Sequence, residues 1–350
     1  MKVAPVWREL EKRDTYDLCL IHTGQHYDDN MSKIFFEDLQ LPRPEVYMGV
    51  GSGSHGEQTG KVMIEFQAVL ERERPDLVVV VGDVNSTMAC TIDAVKLHIP
   101  VAHVEAGLRS FDRAMPEEIN RMVTDILCEL LFTTSPEAEP NLLKEGVDPD
   151  KIHFVGNVMI DSLRFYAPVA ERSPILEDLG LEKKGYGLVT LHRPSNVDDP
   201  ATFAAIISAL TEIGRQCPLL FPVHPRTRKV IADIGLDVPE DRLRLIDPVG
   251  YLDFMKLMTY TSIVLTDSGG IQEETTALEI PCLTIRENTE RPITCDVGTN
   301  TLVGTDHDRI VAEASRVLGD GVGEARVPNL WDGCAAERIA DVLAVYFDES

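Results

Sequence analysis

The sequence predicts an α/β protein built from two Rossmann-like, doubly wound domains. Its 350 residues are enough for roughly two domains of ~150 residues each. Short apolar runs alternate with amphipathic stretches along the whole chain, which is the rhythm of βαβ units. The apolar runs are nearly continuous, and this pattern is typical of parallel strands that are buried on both faces.

The first half contains four predicted strands and three predicted helices. The strands cover 17–22, 77–81, 101–104 and 131–134, and the helices cover 60–73, 86–97 and 117–130. A doubly wound domain ordinarily starts with a strand, whereas this sequence opens in helix-like residues at 6–12. We therefore expect the first strand of this domain to be missing.

The second half contains five predicted strands and four predicted helices. The strands cover 187–191, 219–223, 243–246, 262–266 and 281–285, and the helices cover 201–216, 226–234, 251–259 and 271–279. A change of composition near 156–184 indicates a domain junction. We expect a first domain at 1–157 and a second at 158–335, with a last helix, 336–350, packing back on the first domain.

Composition excludes several classes of function. The 58 acidic and 33 basic residues give a net charge of −25, which argues against nucleic acid or an anionic membrane as a partner. The sequence has no long apolar run for a membrane span and no secretory signal, so we expect a cytoplasmic protein. The seven cysteines form no CxxC pair, and there is neither metal-ligand spacing nor a GxGxxG motif. We therefore expect reduced thiols, no metal and no cofactor.

Three acidic residues follow predicted strands or begin a predicted helix in the first half. Asp83 follows the strand 77–81, Glu105 follows 101–104, and Glu117 begins a helix after Pro116. Each has a simpler structural explanation, as a turn residue or as a favourable charge at a helix start. Ligands bind at the carboxyl ends of parallel strands, and Arg109 and Arg121 accompany the acids. We expect the three carboxylates to converge there and to raise one another's pKa, as acid–base catalysis requires.

The segment 266–274, Thr-Asp-Ser-Gly-Gly-Ile-Gln-Glu-Glu, is the strongest local signal in the second half. It follows a buried strand and opens a helix, where paired glycines allow close approach and free N–H groups attract phosphate. Ser268 adds a hydroxyl donor, and Glu274 is placed to accept the hydroxyls of a ribose. A double glycine alone also fits a tight turn, but the acid six residues after the serine favours a ligand site.

Two histidines and an arginine complete the predicted site. His192 and His224 each follow a predicted strand, and each has an arginine nearby in the sequence. A solitary histidine is usually structural, but two at strand ends are better explained as cleft residues. Arg291, after the next strand, offers a bidentate fork for a diphosphate.

Seven segments carry a family resemblance: 22–26, 82–83, 103–109, 116–121, 192–193, 267–274 and 290–292. In order and spacing they resemble the non-hydrolysing UDP-N-acetylglucosamine 2-epimerases, over nearly the whole chain. The resemblance implies a GT-B architecture, in which two Rossmann-like domains face a cleft, and a homodimer. It also implies interconversion of UDP-GlcNAc and UDP-ManNAc by anti elimination of UDP to a 2-acetamidoglucal, followed by re-addition.

The resemblance implies roles for individual residues. Catalysis is assigned to Asp83, Glu105, Glu117 and His192, with Arg121 in support. Substrate binding is assigned to Lys2, Phe254, Ser268, Gly269, Gly270, Glu274 and Arg291. Within this set, Phe254 packs near the uracil and Lys2 approaches the diphosphate. Gln25, His26 and His224 match the region where some relatives bind a second, activating UDP-GlcNAc.

The sequence departs from the family pattern at its start. The family's first strand and its Gly-Thr-Arg-Pro-Glu turn, expected ahead of Lys2, are absent, which leaves a misplaced start codon or a truncated chain as explanations. Other functions stay open at this point. They are epimerisation of a related UDP-sugar such as a diacetamido uronate, hydrolytic release of ManNAc, glycosyl transfer, and UDP-sugar binding without turnover.

Overall fold

The computed structural model describes residues 1–24, 39–235, 238–321 and 323–349. The chain divides into two compact units, one made of Met1–Ser162 with the segment from Asn329, and one made of Leu163–Pro328. Both units combine helices with parallel sheets, as the sequence predicts. Within the described residues, no helix has both the length and the apolar character that crossing a membrane requires.

The described residues of the first unit form two parallel sheets. The smaller sheet pairs β1 (Ile21–His22) with β2 (Val46–Tyr47). The larger sheet has the order β3-β4-β5-β6, with bounds β3 (Val78–Val81), β4 (Val101–Ala106), β5 (Leu130–Thr133) and β6 (Ile152–Phe154). Because β3 and β4 are parallel neighbours, the residues that follow them lie at one edge of the sheet.

Among the described residues, six helices accompany these strands, and the last of them continues past the end of the first unit. They are α1 (Val3–Glu11), α2 (His55–Glu73), α3 (Asn85–Lys96), α4 (Pro116–Leu127), α5 (Ala138–Lys144) and α6 (Val158–Ala170). Ser54 and Glu57 form a capping box that starts α2, and Pro116 occupies the first turn of α4.

The second unit is built on one six-stranded parallel sheet. Its strands are β7 (Gly187–Thr190), β8 (Leu219–Pro222), β9 (Leu243–Ile246), β10 (Ile263–Thr266), β11 (Cys282–Thr284) and β12 (Asn300–Leu302). Their order is β12-β11-β10-β7-β8-β9. The direction of winding therefore changes between β7 and β10, and such a switch point is where doubly wound sheets bind ligands.

In the parts of the second unit that the structure describes, there are eight helices. They are α7 (Ile175–Leu179), α8 (Pro194–Val197), α9 (Pro200–Ile213), α10 (Pro225–Ile234), α11 (Tyr251–Tyr260), α12 (Gly269–Ala277), α13 (Ile293–Asp296) and α14 (His307–Asp320). Asp199 and Asp306 accept backbone hydrogen bonds at the starts of α9 and α14. Fully buried residues of α9 pack in one core cluster with β8 and β10, among them Ile206, Phe221 and Leu265.

The last helix, α15 (Ala335–Glu349), belongs to the first unit. Its Ile339 and Leu343 share a buried core cluster with Val6 and Leu10 of α1. The chain therefore returns to the first unit after the second is complete.

The structure differs from the sequence prediction mainly in short elements. β2, β6 and β12 have two or three residues each and carry too little periodicity to be recognised. The predicted strand 17–22 is regular only at Ile21–His22, and β4 extends to Ala106. The segment predicted as a junction contains the helix α6.

Candidate functional site

Asp83 follows Gly82 after the end of β3, and Arg121 of α4 holds its carboxylate. Arg121 Nη2 lies 2.5 Å from Asp83 Oδ2, and its Nη1 lies 2.8 Å from Glu118 Oε2. Asn120 donates from its side-chain amide to the backbone oxygen of Asp83 at 2.9 Å. These contacts fix both the backbone and the carboxylate of Asp83 relative to α4.

Glu118 also anchors the loop ahead of α4. Its carboxylate accepts hydrogen bonds from the backbone N–H groups of Ser110 and Phe111, at 3.0 and 2.9 Å, and from Ser110 Oγ at 3.0 Å. Glu118 is buried, and these bonds together with Arg121 offset the cost of its desolvation. The sequence alone does not separate Glu118 from Glu117, because both are acidic residues in the first turn of a helix.

Glu105 lies near the carboxyl end of β4 in a conformation that residues other than glycine rarely adopt. Its φ is 77°, and the pairing of β4 with β5 shifts register between Val104 and Ala106. Such backbone strain costs of order 1–3 kcal/mol and is concentrated at functional sites. A bulge re-aims the side chain, and the buried carboxylate forms an ion pair with Lys2.

Glu117 is half-buried in the first turn of α4. It precedes Asn120 and Arg121 by three and four residues, so it shares the helix face that contacts Asp83. The sequence leads us to expect three carboxylates crowded against one another, but Asp83 and Glu105 each have a cationic partner. Arg121 and Lys2 therefore turn the predicted acid cluster into acid–cation pairs.

A buried network behind these residues is centred on Asp125. Its Oδ1 lies 2.6 Å from His103 Nδ1, and its Oδ2 lies 2.7 Å from Arg109 Nη1. Burial alone would raise the pKa of Asp125, but His103 and Arg109 outweigh burial and hold the pKa below its ordinary value. His103 Nε2 also bonds to the oxygen of Gly82 at 2.8 Å, and the N–H of Gly107 donates to Asp125 at 3.1 Å. The network therefore fixes the backbone just after β3 and just after β4. Because Arg109 is paired with Asp125, its role here is structural.

In the second unit, His192 and Asp267 follow the two strands of the switch point. Asp267 is fully buried, and the backbone N–H groups of His192 and Arg193 donate to its Oδ2 at 3.0 and 2.9 Å. His192 Nδ1 lies 3.0 Å from Asp267 Oδ1, and the histidine side chain is largely exposed. Burial alone would raise the pKa of Asp267, but the bonds from His192 and Arg193 outweigh it and lower the pKa. Nδ1 therefore carries the proton towards Asp267, and Nε2 is the nitrogen available for proton transfer.

The start of α12 has the features of an anion site. Ser268 is its N-cap residue, with no side-chain cap bond among the described residues, so its hydroxyl does not occupy the first N–H groups. A Cβ on Gly269 would lie 2.5 Å from Arg291 Nη1 and 2.8 Å from Glu290 Oε1. Only glycine fits there, and Gly270 continues the first turn.

Glu274 is buried in the second turn of α12. The hydroxyl of Tyr251 donates to its Oε1 at 3.2 Å. Burial, opposed by that hydrogen bond and reinforced by the charge of Glu273, raises the pKa of Glu274 to about 7. Its carboxyl group is therefore a buried acceptor close to the candidate anion site.

Arg291 is buried beside Gly269 and is held by two carboxylates. Its Nε lies 2.9 Å from Glu273 Oε1, and its Nη1 pairs with Glu290. Glu290 in turn lies 2.7 Å from Arg286 Nη2. The arginine that the sequence assigns to a diphosphate is thus part of a buried network that balances its charge.

Four further residues were predicted from the family resemblance. Phe254 is half-buried in the first turns of α11, and His224 is exposed two residues after the end of β8. Gln25 and His26 lie outside the described residues.

The sequence alone assigns no role to three residues that hold the site, namely Asp267, Tyr251 and Asp125. Asp267 was part of a recognised motif, and its position at the end of a strand beside His192 was the available signal. Asp125 lies on α4 just beyond the segment 116–121, and Tyr251 begins α11, and no local pattern in the sequence distinguishes either residue.

Comparison with known proteins assigns the chain to a family. The family model for UDP-N-acetylglucosamine 2-epimerase matches residues 8–344. The chain belongs to this family. Among its relatives is the UDP-N-acetylglucosamine 2-epimerase of Methanocaldococcus jannaschii, 45% identical over 98% of this chain and 95% of the relative. The UDP-2,3-diacetamido-2,3-dideoxy-D-glucuronate 2-epimerase of Pseudomonas aeruginosa is 43% identical over 98% of this chain and 96% of the relative.

Solved structures of the UDP-N-acetylglucosamine 2-epimerases show the same fold. The crystal structure of the Methanocaldococcus jannaschii enzyme in complex with UDP-GlcNAc and UDP matches with a TM-score of 0.90 and 43% identity. It covers 98% of this chain and 96% of that chain. The predicted α/β fold class, of the GT-B type, is thereby confirmed.

Proposed function

We propose that this family member is a non-hydrolysing UDP-N-acetylglucosamine 2-epimerase that interconverts UDP-GlcNAc and UDP-ManNAc. The observation that carries the proposal is its likeness, over nearly the full length of both chains, to an enzyme solved with UDP-GlcNAc and UDP. The acid–cation pairs of the first unit and the anion site at α12 supply the chemistry that this reaction needs.

The reaction requires UDP to leave before C2 changes configuration. The C2–H bond is not adjacent to a carbonyl, so direct deprotonation is prohibitively slow. As the C1–O bond breaks, its electron pair leaves with UDP, and a carboxylate removes the C2 proton to give 2-acetamidoglucal. A proton then returns to the other face of C2, and the UDP oxygen forms the C1–O bond again. Groups that bind the diphosphate therefore stabilise a leaving group as well as anchoring the substrate.

The second unit binds the nucleotide in this proposal. Ser268, Gly269 and Gly270 receive the diphosphate, supported by the N–H groups of the first turn of α12, which have no partner within the helix. Glu274 accepts the ribose hydroxyls. Arg291 adds a positive charge beside Gly269, Phe254 packs near the uracil, and Lys2 approaches the diphosphate.

Acid–base chemistry falls to four groups. These are Asp83, Glu105, Glu117 and His192. Two of them, on opposite faces of C2, remove the C2 proton and return one. Arg121 supports by holding Asp83. The pairing of His192 with Asp267 presents Nε2 for the transfer.

A second candidate has a specific observation in its favour, since the diacetamidoglucuronate epimerase of Pseudomonas aeruginosa is almost as similar. The deciding experiment incubates the protein with each UDP-sugar separately and identifies the products by proton NMR. We expect UDP-ManNAc from UDP-GlcNAc, without free ManNAc. Turnover of the diacetamido uronate alone, or release of free ManNAc, would overturn the proposal.

We also propose a cytoplasmic homodimer that needs no cofactor. Light scattering on the purified protein tests the oligomeric state, and a monomer mass would contradict it. Gln25, His26 and His224 form the proposed second site for UDP-GlcNAc. A sigmoidal rate curve that becomes hyperbolic in His224→Ala is the expected sign of that site.

A further inference from the structure

Glu274 of α12 has one bonded and one unbonded carboxyl oxygen. The hydroxyl of Tyr251 donates to Oε1 at 3.2 Å, and no other bond to this carboxyl group occurs among the described residues. The residue is only 2% exposed, and buried polar oxygens are nearly always hydrogen-bonded. Oε2 is therefore an acceptor that a ligand hydroxyl can satisfy.

Tyr251 is held in place by packing outside α12. It is the first residue of α11, and its ring lies edge-on to the ring of Tyr166, with centroids 6.1 Å apart and an interplanar angle of 84°. Tyr166 belongs to α6 and is fully buried. Because edge-to-face aromatic pairs have a preferred geometry, α6 and α11 set the position of the Tyr251 oxygen.

The same hydrogen bond acts on the charge of Glu274. Burial raises the pKa of Glu274, the Tyr251 hydroxyl lowers it, and the charge of Glu273 raises it. Glu273 is itself paired with Arg291 at 2.9 Å. Burial and the nearby Glu274 raise the pKa of Tyr251, so its hydroxyl keeps its proton and acts as the donor. The bond therefore favours the ionised carboxylate, which accepts hydrogen bonds more strongly than the protonated acid.

Two neighbouring hydroxyls are the donors that suit this carboxylate. An ionised carboxylate offers about four acceptor sites, and Tyr251 occupies one of them. The 2′- and 3′-hydroxyls of a ribose are adjacent donors, whereas 2′-deoxyribose has lost one of them. A site built around a buried acceptor discriminates strongly against a ligand that lacks the matching donor.

We propose that Tyr251 is a positioning residue for ribose recognition, which orients Oε2 of Glu274 towards the neighbouring hydroxyls of the bound nucleotide. This rests on the proposed function, in which Glu274 accepts those hydroxyls, and it adds how the carboxylate is held. Without the Tyr251 hydroxyl, Oε1 loses its partner, and the carboxyl group turns or takes up a proton more readily. The site then distinguishes ribose from deoxyribose less well.

The test compares the binding of UDP and 2′-deoxy-UDP to the full chain by isothermal titration calorimetry, at several pH values on either side of the pKa of Glu274. Both ligands carry the same diphosphate, so its ionisation cancels in the ratio of their affinities. Tyr251→Phe removes the hydroxyl and keeps the ring. Tyr260→Phe is the matched control, because Tyr260 ends the same helix and its hydroxyl also donates to a carboxylate, that of Glu171, at 2.9 Å.

We expect the parent to bind UDP on the order of a hundredfold more tightly than 2′-deoxy-UDP, and this ratio should rise with pH as Glu274 ionises. In Tyr251→Phe the ratio should fall by roughly tenfold, mainly because UDP binds more weakly, and its rise should move to higher pH. Tyr260→Phe should keep the ratio and the pH profile of the parent. Adding Tyr251→Phe to Glu274→Gln should not lower the ratio further, since both changes act through one carboxyl group.

Three results would overturn the proposed role of Tyr251: an unchanged ratio in Tyr251→Phe, the same fall in Tyr260→Phe, or an additive loss in the double variant. Selective binding of UDP that survives Tyr251→Phe leaves the proposed function standing and removes only the role of Tyr251. A parent protein that binds neither nucleotide contradicts both.

Discussion

The imidazole Nδ1 of His192 lies 3.0 Å from Oδ1 of Asp267, across the point where the second sheet changes its direction of winding. β7 ends at Thr190, two residues before His192, and β10 ends at Thr266, immediately before Asp267. Thr190 and Thr266 are in register. The dyad is therefore built from two adjacent strand ends, which makes its geometry a property of the sheet. By orienting Nδ1, the buried Asp267 carboxylate also fixes the orientation of the imidazole ring and hence the position of Nε2.

Asp267→Asn should lower kcat on the order of a hundredfold, because an amide no longer fixes the imidazole in the tautomer that frees Nε2. KM should change little, and the pH profile of kcat should shift. Steady-state kinetics across pH measures both effects. Asp199→Asn is the control, since Asn still caps α9. Unchanged kcat in Asp267→Asn, with the fold intact by circular dichroism, contradicts the positioning role.

Gly269→Ala should weaken UDP binding by roughly tenfold or more, because the new Cβ displaces Arg291 and Glu290. Gly250→Ala is a matched control at the start of α11, where a Cβ meets nothing within 4 Å. Isothermal titration calorimetry with UDP compares the two. If both variants bind UDP like the parent, the start of α12 is not the diphosphate site.

Glu274 makes the folded protein less stable as pH rises. Its pKa is raised from 4.5 to about 7, so the folded state holds this proton more tightly than the unfolded state. The contribution of this proton to the free energy of unfolding is fully present below pH 4.5. It is lost as the pH rises through 7, which lowers the free energy of unfolding by about 3 kcal/mol. The difference in free energy of unfolding between Glu274→Gln and the parent should therefore shift in favour of the variant by about 3 kcal/mol from pH 4.5 to 7.5. Urea unfolding at each pH measures it. Glu182 is exposed, so Glu182→Gln should show no such pH-dependent difference from the parent. If the difference for Glu274→Gln does not change with pH, Glu274 does not make the stability depend on pH.

Asp83→Asn and Glu117→Gln should each abolish proton exchange at C2 while UDP binding survives. Asp83 loses its role as a base and its pairing with Arg121, and Glu117 loses its ionisable group on the same helix face. Exchange is followed by NMR, and binding by calorimetry. Glu139→Gln, an exposed acid in the first turn of α5, should retain both activities. Full exchange in both site variants would remove these residues from the mechanism.

The alternation of apolar and amphipathic segments was sufficient to predict the α/β class and the position of the motifs. It placed His192 and Ser268 at strand ends because buried parallel strands have a strong apolar signature. It did not reveal the positive φ of Glu105, since bulges arise from pairing between strands. The partners of Arg121 and Arg291 were also hidden, because ion pairs depend on tertiary contacts that periodicity does not record.

The most direct test of the account is the fate of the C2 proton in deuterated water. We predict that UDP-GlcNAc and UDP-ManNAc both acquire deuterium at C2, with UDP still attached to the sugar. Epimerisation without deuterium at C2, or deuterium only in free sugar released from UDP, would contradict it.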